Sequence, residues 1–108
     1  MNITKIEINY QSNYNGCTVF VHTADDPENG LDAFDVEYTV KDADTLKKVE
    51  TLQGAVVEEA YKAVIKSGRL EGTFNGDIDE LCEFAFNKAR ELFGDDVEID
   101  FEEDDSST

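Results

Sequence analysis

The chain has no tryptophan, one histidine, one proline and two cysteines among its 108 residues, and only nine bases against twenty-six acids. Each scarcity removes a class of chemistry. Without tryptophan, the commonest platform for stacking a sugar ring is missing. A nucleophile activated by a neighbouring base needs cysteine or serine beside histidine, with a third group to orient the pair. The only histidine, His22, lies five positions from Cys17. On a strand an odd separation sends the two to opposite faces. No run of about eighteen apolar residues reads as a membrane span, and no basic-then-apolar leader reads as an export signal. The expectation is a cytoplasmic, non-enzymatic protein without cofactor or metal, whose Cys17 and Cys82 are reduced, buried small hydrophobes. Nucleic-acid affinity depends on Lys and Arg neutralising phosphates, so the lack of a basic patch disfavours direct binding to DNA or RNA.

Two oxygen-rich stretches are tested for calcium. In "DDPENGLDAFDV", with Gly30 as the turn glycine, Pro27 falls where a carboxylate is needed and Val36 where the bidentate Glu belongs. In "NGDIDE" the glycine after Asp79 is missing and Phe86 takes the twelfth position. Both fail, and they read instead as a turn and a helix cap. Glycines at 68, 72 and 76 lack the GK[ST] that a phosphate loop requires.

What is present is negative charge, −17 in all, and it is uneven. Residues 1–24 are neutral, residues 25–50 carry a net −6, residues 51–76 balance, and residues 77–108 carry −11. A uniform halophilic surface fits this poorly, because the excess is concentrated and seven of the nine bases are Lys.

At this length the chain is one domain, read as residues 1–101 with a disordered acidic tail over 102–108. Ile6, Ile8 and Tyr10 alternate with Lys5, Glu7 and Asn9, a half-buried strand. "YNGC" is a hairpin signal. With Asn15 and Gly16 as turn residues, Tyr10 would oppose Val21, Ile8 would oppose Thr23, and both arms would share one apolar face. Residues 24–33 form a loop. "FDVEYTV" alternates again and predicts a third strand with Phe34, Val36, Tyr38 and Val40 inward. A helix capped by Asp42 or Asp44 runs to Ser67 and stops at Gly68, with a kink or break expected at Gly54. Residues 69–76 connect it to a second helix from the "DIDE" capping box to Phe93, ended by Gly94. Val97, Ile99 and Phe101 form a fourth strand. The fold class is α+β: an antiparallel sheet of about four strands, in the order β-β-β-α-α-β, with two helices on one face.

On this layout Asp35 and Glu37 share the wet sheet face with Glu98, Asp100 and Glu102, in rows whose spacing is comparable to the step between neighbouring phosphates. The second helix adds Asp79, Glu80 and Glu83 around Phe84, an aromatic about 100° off the buried stripe that suits an interface anchor. These nine residues are the candidate partner-binding set. The expectation is a small acidic protein that blocks a basic nucleic-acid-binding protein by imitating nucleic-acid charge, as phage and mobile-element inhibitors do. The alternative is a structural or adaptor module, monomer or homodimer, whose acids serve solubility.

Overall fold

The computed structural model describes residues 1–68, 74 and 76–104. Strand β1 (Ile3–Gln11) and strand β2 (Gly16–Thr23) form the expected hairpin. Its register differs from the expected one: Tyr10 lies opposite Cys17, Ile8 opposite Val19 and Ile6 opposite Val21. The connection is therefore longer than two residues, with Asn15 in the left-handed conformation at φ 52°. The Tyr10 hydroxyl donates to Asn15 Oδ1 at 2.7 Å. The slip relative to the expected pairing is four residues, an even number, so the same side chains stay on the apolar face.

The expected third strand is not a strand. Residues Ala33–Asp35 are helical (α1) and lead into a π-helical turn over Val36–Val40. Asp32 starts the segment: its carboxylate accepts from the Asp35 N–H at 2.9 Å. Lys41, left-handed at φ 59°, closes the segment by donating its N–H to the Val36 carbonyl at 2.8 Å. The outer edge of β2, where a third strand would add, is engaged otherwise. Val21 exchanges backbone hydrogen bonds with Leu31, each 2.9 Å, and the Val19 N–H donates to Gln53 Oε1 at 3.0 Å.

Helix α2 (Ala43–Ser67) is continuous, without the expected break. Gly54 is exposed in its middle, with nothing near its Cα for a side chain to meet, so it costs helix propensity without forcing a bend. Asp42 caps α2 by accepting from both the N–H and the hydroxyl of Thr45, at 3.3 and 3.0 Å. Gly68, at φ 81°, ends it. Gln53, on α2, is the side chain that satisfies the Val19 N–H. Helix α3 (Ile78–Phe93) begins as read, with Asp77 accepting from the Asp79 N–H at 2.9 Å, and it stops at Gly94.

Strand β3 (Glu98–Asp104) pairs with β1 in parallel, Ile6 beside Ile99 and Ile8 beside Phe101. Among the described residues the sheet is therefore mixed and three-stranded, in the order β2-β1-β3, with three helices between β2 and β3 in an α+β arrangement. A strand over 34–40 would have added one reversal to the chain's path. Without it the chain returns in the opposite sense, parallel to β1. Residues 102–104, expected in a tail, continue the strand; the expected tail over 105–108 lies outside the described residues, as does most of the connection over 69–76.

One face of the sheet makes the core. Ile6, Ile8, Tyr10, Val19 and Val21 pack against Val36, against Val49, Leu52, Val56 and Ala60 of α2, and against Leu81, Ala85 and Ala89 of α3. The Phe74 ring meets Tyr10 edge-on at 5.6 Å. Among the described residues no helix is long and apolar enough to cross a membrane.

Candidate functional site

The sheet face away from the helices carries the first acidic row. Side chains alternate along a strand, so Glu98, Asp100 and Glu102 stand on the same side as Lys5, Glu7 and Asn9 of β1. All three acids are exposed. Because β3 is an edge strand, its row lies along the rim of the molecule. The row is not purely negative. Lys5 Nζ is 3.0 Å from Asp100 and 3.6 Å from Glu7. The hydrogen bond to Asp100 above all holds the Lys5 pKa above its ordinary value, with Glu7 and Glu98 adding to it. This contact was not legible beforehand, since it depends on the parallel register.

Further across the same face, the loop over 24–30 folds down over β2. His22 is only 5% exposed, with Nδ1 2.8 Å from the Pro27 carbonyl and Nε2 2.8 Å from Glu7 Oε1. A carbonyl only accepts, so Nδ1 carries the proton in that bond. The histidine is a tie between sheet and loop. The Cys17 side chain lies on the opposite, core face, paired with Tyr10. Burial pushes its thiol up to about 12. Cys82 is raised as well, by burial and then by Asp79. Activated cysteines have lowered values; these two are shifted the other way.

Asp35 and Glu37 are not on the sheet. They belong to α1 and the π turn, which follow Leu31 on the outer edge of β2, while β3 lies at the opposite edge. The single wet face expected to unite them with Glu98, Asp100 and Glu102 does not exist. Asp79, Glu80 and Glu83 are exposed on α3, in the helical layer behind the sheet. The nine candidate residues thus fall into three separate groups. Phe84 is half-buried beside a groove of about 300 Å³ between α2 and α3, together with Phe74 and Leu81. Lys62 and Lys66 of α2 line the same groove as Asp77 and Glu80, so this acidic group is diluted by bases.

Residues that did not stand out in the sequence are Phe34 and Tyr38, expected inside and found outside, 65% and 59% exposed. Their rings contact each other at a centroid distance of 4.8 Å and a tilt of 41°. A sequence signal existed in Asp32, an N-cap residue immediately before the segment. Tyr61 and Ile65, one turn apart on α2, are also about half exposed, at 49% and 50%. Among the described residues no three or more His, Cys, Asp or Glu side chains are grouped to hold a metal ion. No protein-family model, curated protein or solved structure matches the chain.

Proposed function

We propose that this chain is a non-enzymatic acidic protein that binds a basic nucleic-acid-binding protein or nuclease and blocks it by presenting carboxylates in place of phosphates. Phage and mobile-element inhibitors of the anti-CRISPR and anti-restriction type act in this general manner. The observation that carries the reading is the exposed row Glu98, Asp100 and Glu102 on an edge strand of a chain with net charge −17. Alternate residues on a strand stand about 6.6 Å apart, a step of the same order as that between phosphates on one nucleic-acid strand. The rim position leaves the row open to a groove-shaped partner. An excess of one sign also steers a basic partner inward and makes the encounter salt-sensitive.

The test is a pull-down with the tagged chain at about 0.1 M and about 0.5 M salt, over which the screening length shortens from about 10 Å to a few ångströms. A basic nucleic-acid enzyme retained at low salt and shed at high salt supports the proposal. Replacing Glu98, Asp100 and Glu102 by Gln, Asn and Gln should weaken that retention and leave the fold intact. Retention unaffected by the triple change would sink the row as the recognition element.

The exposed Tyr61 and Ile65 favour a second reading, an adaptor that pairs through a helix face. Sedimentation separates the two: a salt-insensitive dimer speaks for the adaptor, a monomer for the decoy.

A further inference from the structure

We propose that the exposed ring pair Phe34–Tyr38 anchors arginine side chains of a basic protein partner. This rests on the reading of the chain as an acidic binder and adds the place and the chemistry of its central contact. The two rings lean on each other, and each is more than half exposed. Their base is fixed. Asp32 holds the Asp35 N–H, Val36 is fully buried in the core, and Lys41 closes the turn in a left-handed conformation. Rings on a fixed base lose little freedom when a partner arrives. A π-helical turn is itself a rare element that occurs preferentially at functional positions.

The surroundings select the partner's chemistry. Between Asp32 and Asp44 the chain carries five acids against the single base Lys41, and Glu37, next to Tyr38, is exposed. A cation is therefore favoured, and the combination of ring faces with carboxylates favours one kind. A guanidinium is flat, stacks on an aromatic face and grips a carboxylate with two parallel N–H bonds; an ammonium offers only its charge. A second copy of this chain is a poor occupant, because it would bring the same five acids to the contact.

The experiment titrates the full chain with octa-arginine and with octa-lysine, equal in length and charge, at about 0.1 M salt. Aromatic NMR signals of Phe34 and Tyr38 report the location. Octa-arginine should bind about fivefold more tightly than octa-lysine and should shift both ring signals. The double variant Phe34→Ala/Tyr38→Ala keeps every charge and should lower the ratio clearly, leaving only the preference of the carboxylates for a guanidinium. The Glu98→Gln/Asp100→Asn/Glu102→Gln variant should weaken both peptides and keep the ratio. Equal affinities in the wild type, a ratio undiminished by loss of both rings, or unmoved ring signals would overturn the anchor while leaving the acidic-binder reading standing. Failure to bind either peptide would overturn that reading and the anchor with it. A dimer in sedimentation that the double variant abolishes would assign the rings to a second copy and also overturn the proposal.

Discussion

Two stretches of this chain place apolar residues at every second position, and the protein treats them in opposite ways. In β1, Ile6, Ile8 and Tyr10 are at most 1% exposed. In the segment over 34–40 only Val36 is buried, while Phe34, Tyr38 and Val40 are 65%, 59% and 38% exposed. The difference lies in what is available to pair with. β1 is the central strand, hydrogen-bonded on both sides. The 34–40 segment would have to add to the outer edge of β2, whose polar groups are met by Leu31 and Gln53. An unpaired strand leaves its backbone unsatisfied, whereas a helical turn satisfies itself. Once helical, at about 100° per residue, positions two apart point roughly opposite ways. Val36 then faces the core, and Phe34 and Tyr38, four apart, stack together outside. Alternation specifies a strand only where a neighbouring edge is free.

The sharpest way to break this comparison is to truncate one apolar residue in each stretch. Ile8→Ala in the buried centre of the sheet should destabilise the protein by about 2–5 kcal/mol. Val36→Ala should cost roughly 2 kcal/mol, from two buried carbon groups and the cavity they leave. Urea unfolding reads both. A Val36→Ala variant as stable as the wild type would mean that the segment is not seated on the core through that residue.

The next effect is at the start of the turn. Asp32→Ala removes the acceptor for the Asp35 N–H and should cost about 1 kcal/mol. Asp42 performs the same service for α2, and its bonds from the Thr45 N–H and then the Thr45 hydroxyl hold its carboxyl below the ordinary aspartate range. A depressed value means the carboxylate contributes stability at pH above the unfolded-state value of about 3.9, and that this is lost as pH falls through the folded-state value. Acidification also relieves the repulsion among the other acids, so the wild-type curve alone is ambiguous. The difference between wild type and Asp42→Ala isolates the cap, because the remaining carboxylates are common to both. That difference should be largest near neutrality and shrink as pH falls below the ordinary aspartate value of about 3.9; a difference that stays constant into acid would rule out the charged form as the source.

Most of the fold was legible because it is local. The β1 alternation, the presence of a hairpin after it, the Asp42 and Asp77 caps and the Gly68 and Gly94 stops depend on neighbours a few residues away. What was not legible depends on distant partners. The hairpin register slipped by four because an even shift keeps every side chain on its face, so facial agreement cannot choose between such registers. The parallel pairing of β3 follows from the number of reversals along the whole chain, and one misread element inverts it. For the same reason the candidate site came apart. Glu98, Asp100 and Glu102 are a row because Ile99 and Phe101 seat β3 on the core, a local pattern. Their union with Asp35 and Glu37 needed a strand that does not form. Lys5 beside Asp100 needed a register that only the assembled sheet supplies.

The smallest expected effect sharpens the comparison from the other side. Removing both exposed rings, Phe34→Ala with Tyr38→Ala, should change the unfolding free energy by no more than about 0.5 kcal/mol, although the same kind of truncation at Ile8 is severe. Both rings are more than half exposed and contact each other, so little buried surface is lost, and alanine is the better helix former. A loss of about 2 kcal/mol or more would show that they cover core surface after all, and the alternating pattern would then be explained by burial. A near-zero loss leaves two large apolar side chains at a place where the fold does not need them. Exposed aromatics on a strongly acidic chain favour association, and a residue pair neutral for stability yet unfavourable in water is what a recognition surface looks like in a denaturation experiment.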